Sequence, residues 1–123
     1  MKLQESGEMY LESIYLLSKK CPNVRSVDVA VFTGYSKPSV SRAMGLLKNA
    51  NMIQIDPDGY ISLTQEGLAV AERMYERHTA ITEFFVNIGV PEGIASQDAC
   101  KIEHVISETS FCALKDLGKK LKS

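Results

Sequence analysis

"YSKPSVSRAMGLLKNANMIQIDPDGYISLT", residues 35–64, holds two hydrophobic periods in succession, and the change from one to the other decides the fold. In the first half Val40, Ala43, Met44 and Leu47 recur at three- and four-residue steps, the inward stripe of an amphipathic helix. Ser36 is its candidate N-cap, with Lys37 and Pro38 in the first turn, where a missing backbone N–H costs nothing. The second half, MIQIDPDGYISLT, alternates apolar and polar residues around Asp58-Gly59, a dipeptide favoured in tight hairpin turns. It predicts short antiparallel strands near 52–56 and 60–63.

Upstream, SGEMYLESIYLLSKK places Tyr10, Leu11, Ile14 and Leu17 on one helical stripe with Met9 at its flank. The helix is expected to end near Lys19 and Lys20, whose charge suits the negative end of a helix dipole. Cys21-Pro22-Asn23 breaks the chain, and SVDVAVFTG then predicts a short helix capped by Ser26 and stopped by Gly34. Helix, short helix, turn, polar-faced helix and hairpin is the order of a winged helix-turn-helix. The expected fold is therefore mainly α, with such a DNA-binding domain at residues 1–63 and a helical module at 64–123. In the module, TQEGLAVAERMYERHTAITEFFVNIG predicts a long connecting helix stopped by Gly89. A second helical segment opens at Pro91 and is expected to reach Glu108, and a third to run from Thr109 to Lys122.

At 123 residues the chain suits one compact unit, or a small domain plus a module too thin to hold its own core. A partner subunit would complete the latter. The net charge of −1 gives no global attraction to nucleic acid, so any DNA affinity must come from local charge. No stretch approaches the roughly 18 to 20 apolar residues of a spanning helix, and MKLQESGEMY lacks the long apolar core of a signal peptide. The expectation is a cytoplasmic protein without a membrane partner. Cys21, Cys100 and Cys112 are odd in number and lack CxxC spacing, which argues against a disulfide framework or zinc knuckle and for reduced thiols.

Ser36, Lys37, Pro38, Ser39, Ser41 and Arg42 crowd the first two turns of the third helix, where a helix-turn-helix meets base edges and phosphates. Arg42 alone among them can grip guanine with two hydrogen bonds. Asp56 and Asp58 lie at the hairpin tip and would repel phosphate, so the wing is expected to brace the fold more than to hold DNA.

"DACKIEHV", residues 98–105, puts Cys100, Glu103 and His104 at helical neighbour spacing. Taken alone, the trio fits a buried cysteine beside an exposed Glu–His pair better than a metal site. Other donors would have to converge on it, and His78 on the long helix or Met9 and Glu12, three apart on the first helix, are the candidates.

EMYLESIY, the SKPSVSRAM helix-turn-helix and ACKIEHV resemble, in order and spacing, segments of the diphtheria toxin repressor family of metal-dependent transcription regulators. The resemblance covers essentially the whole chain and implies a homodimeric repressor of metal-homeostasis genes that binds a double-stranded operator. In the iron-responsive branch the activating site takes a methionine from the first helix and a cysteine, glutamate and histidine from the later one. Met9, Cys100, Glu103 and His104 match those positions. The manganese-responsive branch has acidic residues there instead, and shares a glutamate and a histidine matched by Glu12 and His78. Soft sulfur donors favour Fe(II) as the corepressor, with Mn(II), Co(II), Ni(II) and Zn(II) as alternatives.

An ancillary site of the iron branch would need acidic and histidine donors where this chain has Thr82 and Ser96, with Glu83 one residue out of register. Ile81, Phe84, Phe85, Ile88 and Val90 suit either a dimer interface or an internal core. The rival reading is a winged-helix regulator that answers to manganese or to a non-metal signal, with Cys100 structural or redox-sensing. An enzyme using Cys100 as nucleophile and His104 as base lacks an evident oxyanion donor, so neither catalysis nor a small-molecule substrate is expected.

Overall fold

The computed structural model describes residues 5–122, which divide between Glu72 and Arg73 into two compact units. The first holds α1 (Glu5–Lys20), α2 (Ser26–Thr33), α3 (Lys37–Asn49), β1 (Ile53–Ile55), β2 (Ile61–Leu63) and the opening of α4 (Gln65–Asn87). The second holds the rest of α4, α5 (Glu92–Ile102) and α6 (Glu108–Lys122). The architecture is mainly α with one two-stranded antiparallel sheet among the described residues.

In the first unit α1 buries Tyr10, Leu11, Ile14 and Leu17, with Glu5 and Glu8 in its first turn and Lys19 and Lys20 in its last. Its cap charges have the signs the helix dipole favours. These side chains meet Val29 and Ala30 of α2, and Val40, Met44 and Leu47 of α3, in one core. Each large apolar residue buried there contributes about 1.5–3 kcal/mol.

Ser26 is not the cap of α2. Arg25 takes that position in extended conformation, and the Asp28 carboxylate reaches back to accept its N–H at 2.9 Å. Gly34 ends the helix at φ 79°, its N–H donating to the Ala30 carbonyl. Ser36 caps α3 as expected, accepting the Ser39 N–H at 3.3 Å. At the other end Asn51 takes φ 61°, Met52 N–H returns to the Leu47 carbonyl and Asn51 N–H to Lys48, which is a Schellman closure.

The hairpin pairs Ile53 with Leu63, Gln54 with Ser62 and Ile55 with Ile61. Its loop has three residues, not the two that Asp58-Gly59 alone suggests. Gly59 N–H closes a turn onto the Asp56 carbonyl, and Gly59 at φ 85° lets Asp56 N–H pair with the Tyr60 carbonyl. The Asp56 carboxylate accepts the N–H groups of Asp58 and Tyr60, each at 2.9 Å. On the other side of β2, Ile61 N–H donates to the Val24 carbonyl at 2.7 Å, tying the hairpin to the segment between α1 and α2.

In the second unit Ile81, Ala99 and Phe111 are buried together, with Ala80, Phe85, Ile102, Ile106 and Leu114 packed around them. Ile81 and Phe85 thus serve an internal core, whereas Ile88 remains exposed. Gly89 at φ 106° follows α4, as its sequence position predicts. The expected helix from Pro91 to Glu108 is not continuous. It stops at Ile102, residues 103–106 form a turn, and α6 begins at Glu108.

No helix among the described residues is long and apolar enough to cross a membrane. All three cysteines are free thiols and exposed.

Candidate metal centre

The break after Ile102 builds the site. Glu103 N–H still donates to Ala99, but Val105 and Ile106 both turn their N–H groups onto the Ile102 carbonyl, which closes the helix. Arg77 of α4 takes up what the turn leaves over. Its Nη1 donates to the carbonyls of Glu103 at 3.1 Å and Ile106 at 2.9 Å, and its Nη2 to the Glu108 carboxylate at 2.9 Å. The guanidinium also lies over the Phe111 ring, 5.4 Å from its centre. His104 therefore stands in a turn beyond the helix, not on a shared helical face with Cys100 as the spacing suggests.

His78 follows Arg77 on α4, so the turn that fixes the backbone also delivers an imidazole. Its Nδ1 lies 3.4 Å from Glu103 Oε2 and 3.7 Å from Cys100 Sγ, and its Nε2 lies 3.4 Å from the Ser96 hydroxyl. His104 Nε2 lies 3.3 Å from Glu103 Oε1. Donor atoms of His78, Cys100 and Glu103 all fall within 4.8 Å of one another.

Burial inverts the simplest expectation for the trio. Glu103 is 2% exposed and the His104 side chain 7%, whereas Cys100 is open to solvent. Among the described residues, Glu103 Oε2 is buried without a hydrogen-bond donor. Its approach to His78 is longer than the 2.7–2.9 Å of a strong charge-assisted bond. An orphaned buried carboxylate oxygen costs free energy unless a cation satisfies it. Imidazole nitrogen, carboxylate oxygen and thiolate sulfur together are donors for a divalent transition ion, so the residues fit such a group.

The other expected ligands, Met9 and Glu12, belong to the first unit. Met9 is half-buried against the α1 core, with the Ser13 hydroxyl 2.9 Å from its carbonyl and 3.6 Å from its sulfur. Glu12 is buried on the same helix. Of the ancillary positions, Thr82 donates its hydroxyl to the His78 carbonyl at 2.7 Å, and the Ser96 hydroxyl meets the imidazole at 3.4 Å. Arg77 was not foreseen from the sequence, where nothing distinguishes it from a surface arginine except its place beside His78.

On α3 the six expected DNA-facing residues, Ser36, Lys37, Pro38, Ser39, Ser41 and Arg42, are all exposed. Ser36 and Ser39 are joined by their hydroxyls at 2.9 Å. The wing-tip carboxylate of Asp56 is engaged by its own turn, in line with a bracing role.

Residues 64–123 match the family described as "Iron dependent repressor, metal binding and dimerisation domain". The transcriptional regulator MntR of Escherichia coli O6:H1 is 33% identical over 111 residues, covering 90% of this chain and 72% of its own length. An uncharacterised helix-turn-helix regulator of Methanocaldococcus jannaschii, MJ0568, is 30% identical over 98% of both chains. Among solved structures, the metal-dependent transcriptional regulator MtsR superposes with a TM-score of 0.83 at 26% identity, over 90% of this chain and 52% of that one. The chain thus spans about half the length of that solved protein. With a winged helix-turn-helix, a donor cluster at the end of α5 and these relatives, the chain belongs to the diphtheria toxin repressor family of metal-dependent transcription regulators.

Proposed function

We propose that the protein is a cytoplasmic, homodimeric repressor that binds a double-stranded DNA operator when a divalent metal, Fe(II) in the cell, acts as corepressor. The observation that carries this reading is the buried Glu103 carboxylate, one oxygen of which faces His78 and lacks a donor. A structural glutamate would be expected to have its hydrogen bonds satisfied; a ligand waits for a cation.

Met9, Cys100, Glu103 and His104 are the proposed activating ligands, and His78 and Glu12 the donors of a second position. A bound divalent ion would supply Lewis acidity to these nitrogen, oxygen and sulfur donors. Lys37, Ser39, Ser41 and Arg42 of each protomer then meet DNA from an orientation that the dimer fixes, because two recognition helices must match grooves about 34 Å apart. The energetic effect equals the differential affinity of the ion for the two conformations, typically about 1–3 kcal/mol. Thioether and thiolate favour iron over manganese. The exposure of Cys100 supports that choice, since a sulfur open to solvent is not serving as packing.

Anomalous scattering from crystals grown with Fe(II) tests the reading. One strong peak within bonding distance of the sulfurs of both Met9 and Cys100 is expected. A peak bound only by oxygen and nitrogen, or operator affinity indifferent to Fe(II), Mn(II) and Co(II), overturns it.

A further inference from the structure

We infer that Thr64 and Gly67 clamp the end of α3 to the start of α4 and act as positioning residues for metal-dependent DNA binding, an inference that rests on the function proposed above.

Five hydrogen bonds meet at Thr64, one of them from the Leu68 N–H to its carbonyl at 2.8 Å, the first backbone bond of α4. Its hydroxyl accepts the Gly67 N–H at 3.0 Å, the ordinary duty of an N-cap. The same hydroxyl shares its proton between the carbonyls of Asn51 at 2.9 Å and Met52 at 3.0 Å. Its backbone N–H donates to Met52 again, at 3.0 Å. One residue thereby caps α4 and grips the two residues that close α3.

Gly67 makes the grip tight. A Cβ built at this position would fall on the Met52 carbonyl oxygen, far inside van der Waals contact, and the obstacle is backbone. No side chain can rotate out of the way. Asn51, at φ 61° in the Schellman closure that asparagine tolerates well, offers its carbonyl to the Thr64 hydroxyl.

The clamp bypasses the hairpin. Thr64 lies 13 residues beyond Asn51, yet its hydroxyl joins the two helix ends directly, beside the core that Ala71 of α4 shares with Met44 and Leu47 of α3. With the clamp closed, rotation of the first turn of α4 drags Met52, Asn51 and the last turn of α3 with it. α3 carries the DNA-facing residues, and α4 continues as one helix to the turn that bears His78. A change in the bearing of α4 thus reaches the recognition helix without slack at this joint.

The test uses the full chain and a duplex selected from a random-sequence pool by the Co(II)-loaded wild-type protein. Duplex affinity is measured by fluorescence anisotropy at fixed salt, with Co(II) and with chelator, and Co(II) affinity by the thiolate absorption band. Gly67→Ala and Thr64→Val are expected to lower the ratio of loaded to metal-free duplex affinity about five-fold or more, within the usual range of allosteric coupling, while Co(II) affinity holds. Thr64→Ser keeps the hydroxyl and retains the wild-type ratio. If both duplex affinities fall together and the ratio stands, the residues are merely structural and the inference is overturned. Should Gly67→Ala fail to fold, the Thr64→Val and Thr64→Ser pair decides. Failure of Co(II)-loaded protein to select any duplex removes the proposed function and the clamp with it, whereas a selected duplex with unaltered ratios removes the clamp alone.

Discussion

Arg77 donates from Nη1 to the carbonyl oxygen of Glu103, 26 residues further along the chain, while the carboxylate of that glutamate faces the imidazole of His78, the next residue after the arginine. Two adjacent residues on α4 thus handle the two ends of one residue, its backbone and its acid.

Replacing Arg77 with Met removes three hydrogen bonds, two of them to carbonyls of the turn. Loss of buried partners of this kind is expected to cost about 3 kcal/mol, read from urea denaturation. Co(II) affinity is expected to fall as well, because the turn carrying Glu103 and His104 loses its support. Unchanged affinity in the folded variant would separate Arg77 from the site.

Glu103→Gln is expected to act with opposite sign in the two states. Without metal it removes a buried carboxylate oxygen that lacks a donor, so the melting temperature is expected to stay level or rise. Co(II) is expected to raise the melting temperature of wild type but not of this variant, since a neutral amide is a poor ligand. A differential scan with and without the ion reads both effects.

Cys100→Ser is expected to leave metal-free stability within about 0.5 kcal/mol, because the thiol is exposed. Its effect falls on the metal. The Co(II) complex loses its sulfur charge-transfer absorption, and a variant that binds Co(II) with the wild-type spectrum would exclude the thiol from the site.

The hydrogen bond from Arg77, followed by one from the Cys112 thiol, holds the Glu108 carboxyl below its ordinary value of 4.5. A depressed carboxyl contributes stability that is complete above its unfolded value and is lost as pH falls through the folded one. Wild type is therefore expected to melt above Glu108→Gln near neutral pH, with the gap closing as pH drops below 4.5. A gap independent of pH would mean that packing, not charge, accounts for it.

Arg42→Ala is expected to weaken duplex binding by about 1–3 kcal/mol and to relax preference at one base pair, if the guanidinium reads guanine. A uniform loss across sequences would assign it to phosphate instead. Selection from a randomised duplex pool distinguishes the two.

What was legible in the sequence follows the range of the interactions involved. α3 and its Ser36 cap, the inward stripe of Val40, Met44 and Leu47, and the hairpin are written by neighbours within a few residues. The cap of α2 falls at Arg25 and not at Ser26, because Asp28 satisfies the Arg25 N–H from inside the helix. The end of α5 at Ile102 is hidden for a different reason. Nothing in CKIEHV stops a helix, and the stop comes from a guanidinium donated by α4, which local pattern does not disclose. The same distance hid the inversion of burial between Cys100 and Glu103. Family resemblance pointed to the residue types of the candidate site, of which the fold brings His78, Cys100 and Glu103 within 4.8 Å of one another.

The bridge from Ile61 to Val24 bears on how the molecule behaves in company. A hairpin with two bare flanks invites strand addition from neighbouring chains, a route to fibrils. Here one flank of β2 is already occupied, and β1 offers only Ile53–Ile55 as a template. So short a template gives incoming chains little to nucleate on, which leaves the sheet free to serve its own fold even when the protein is concentrated.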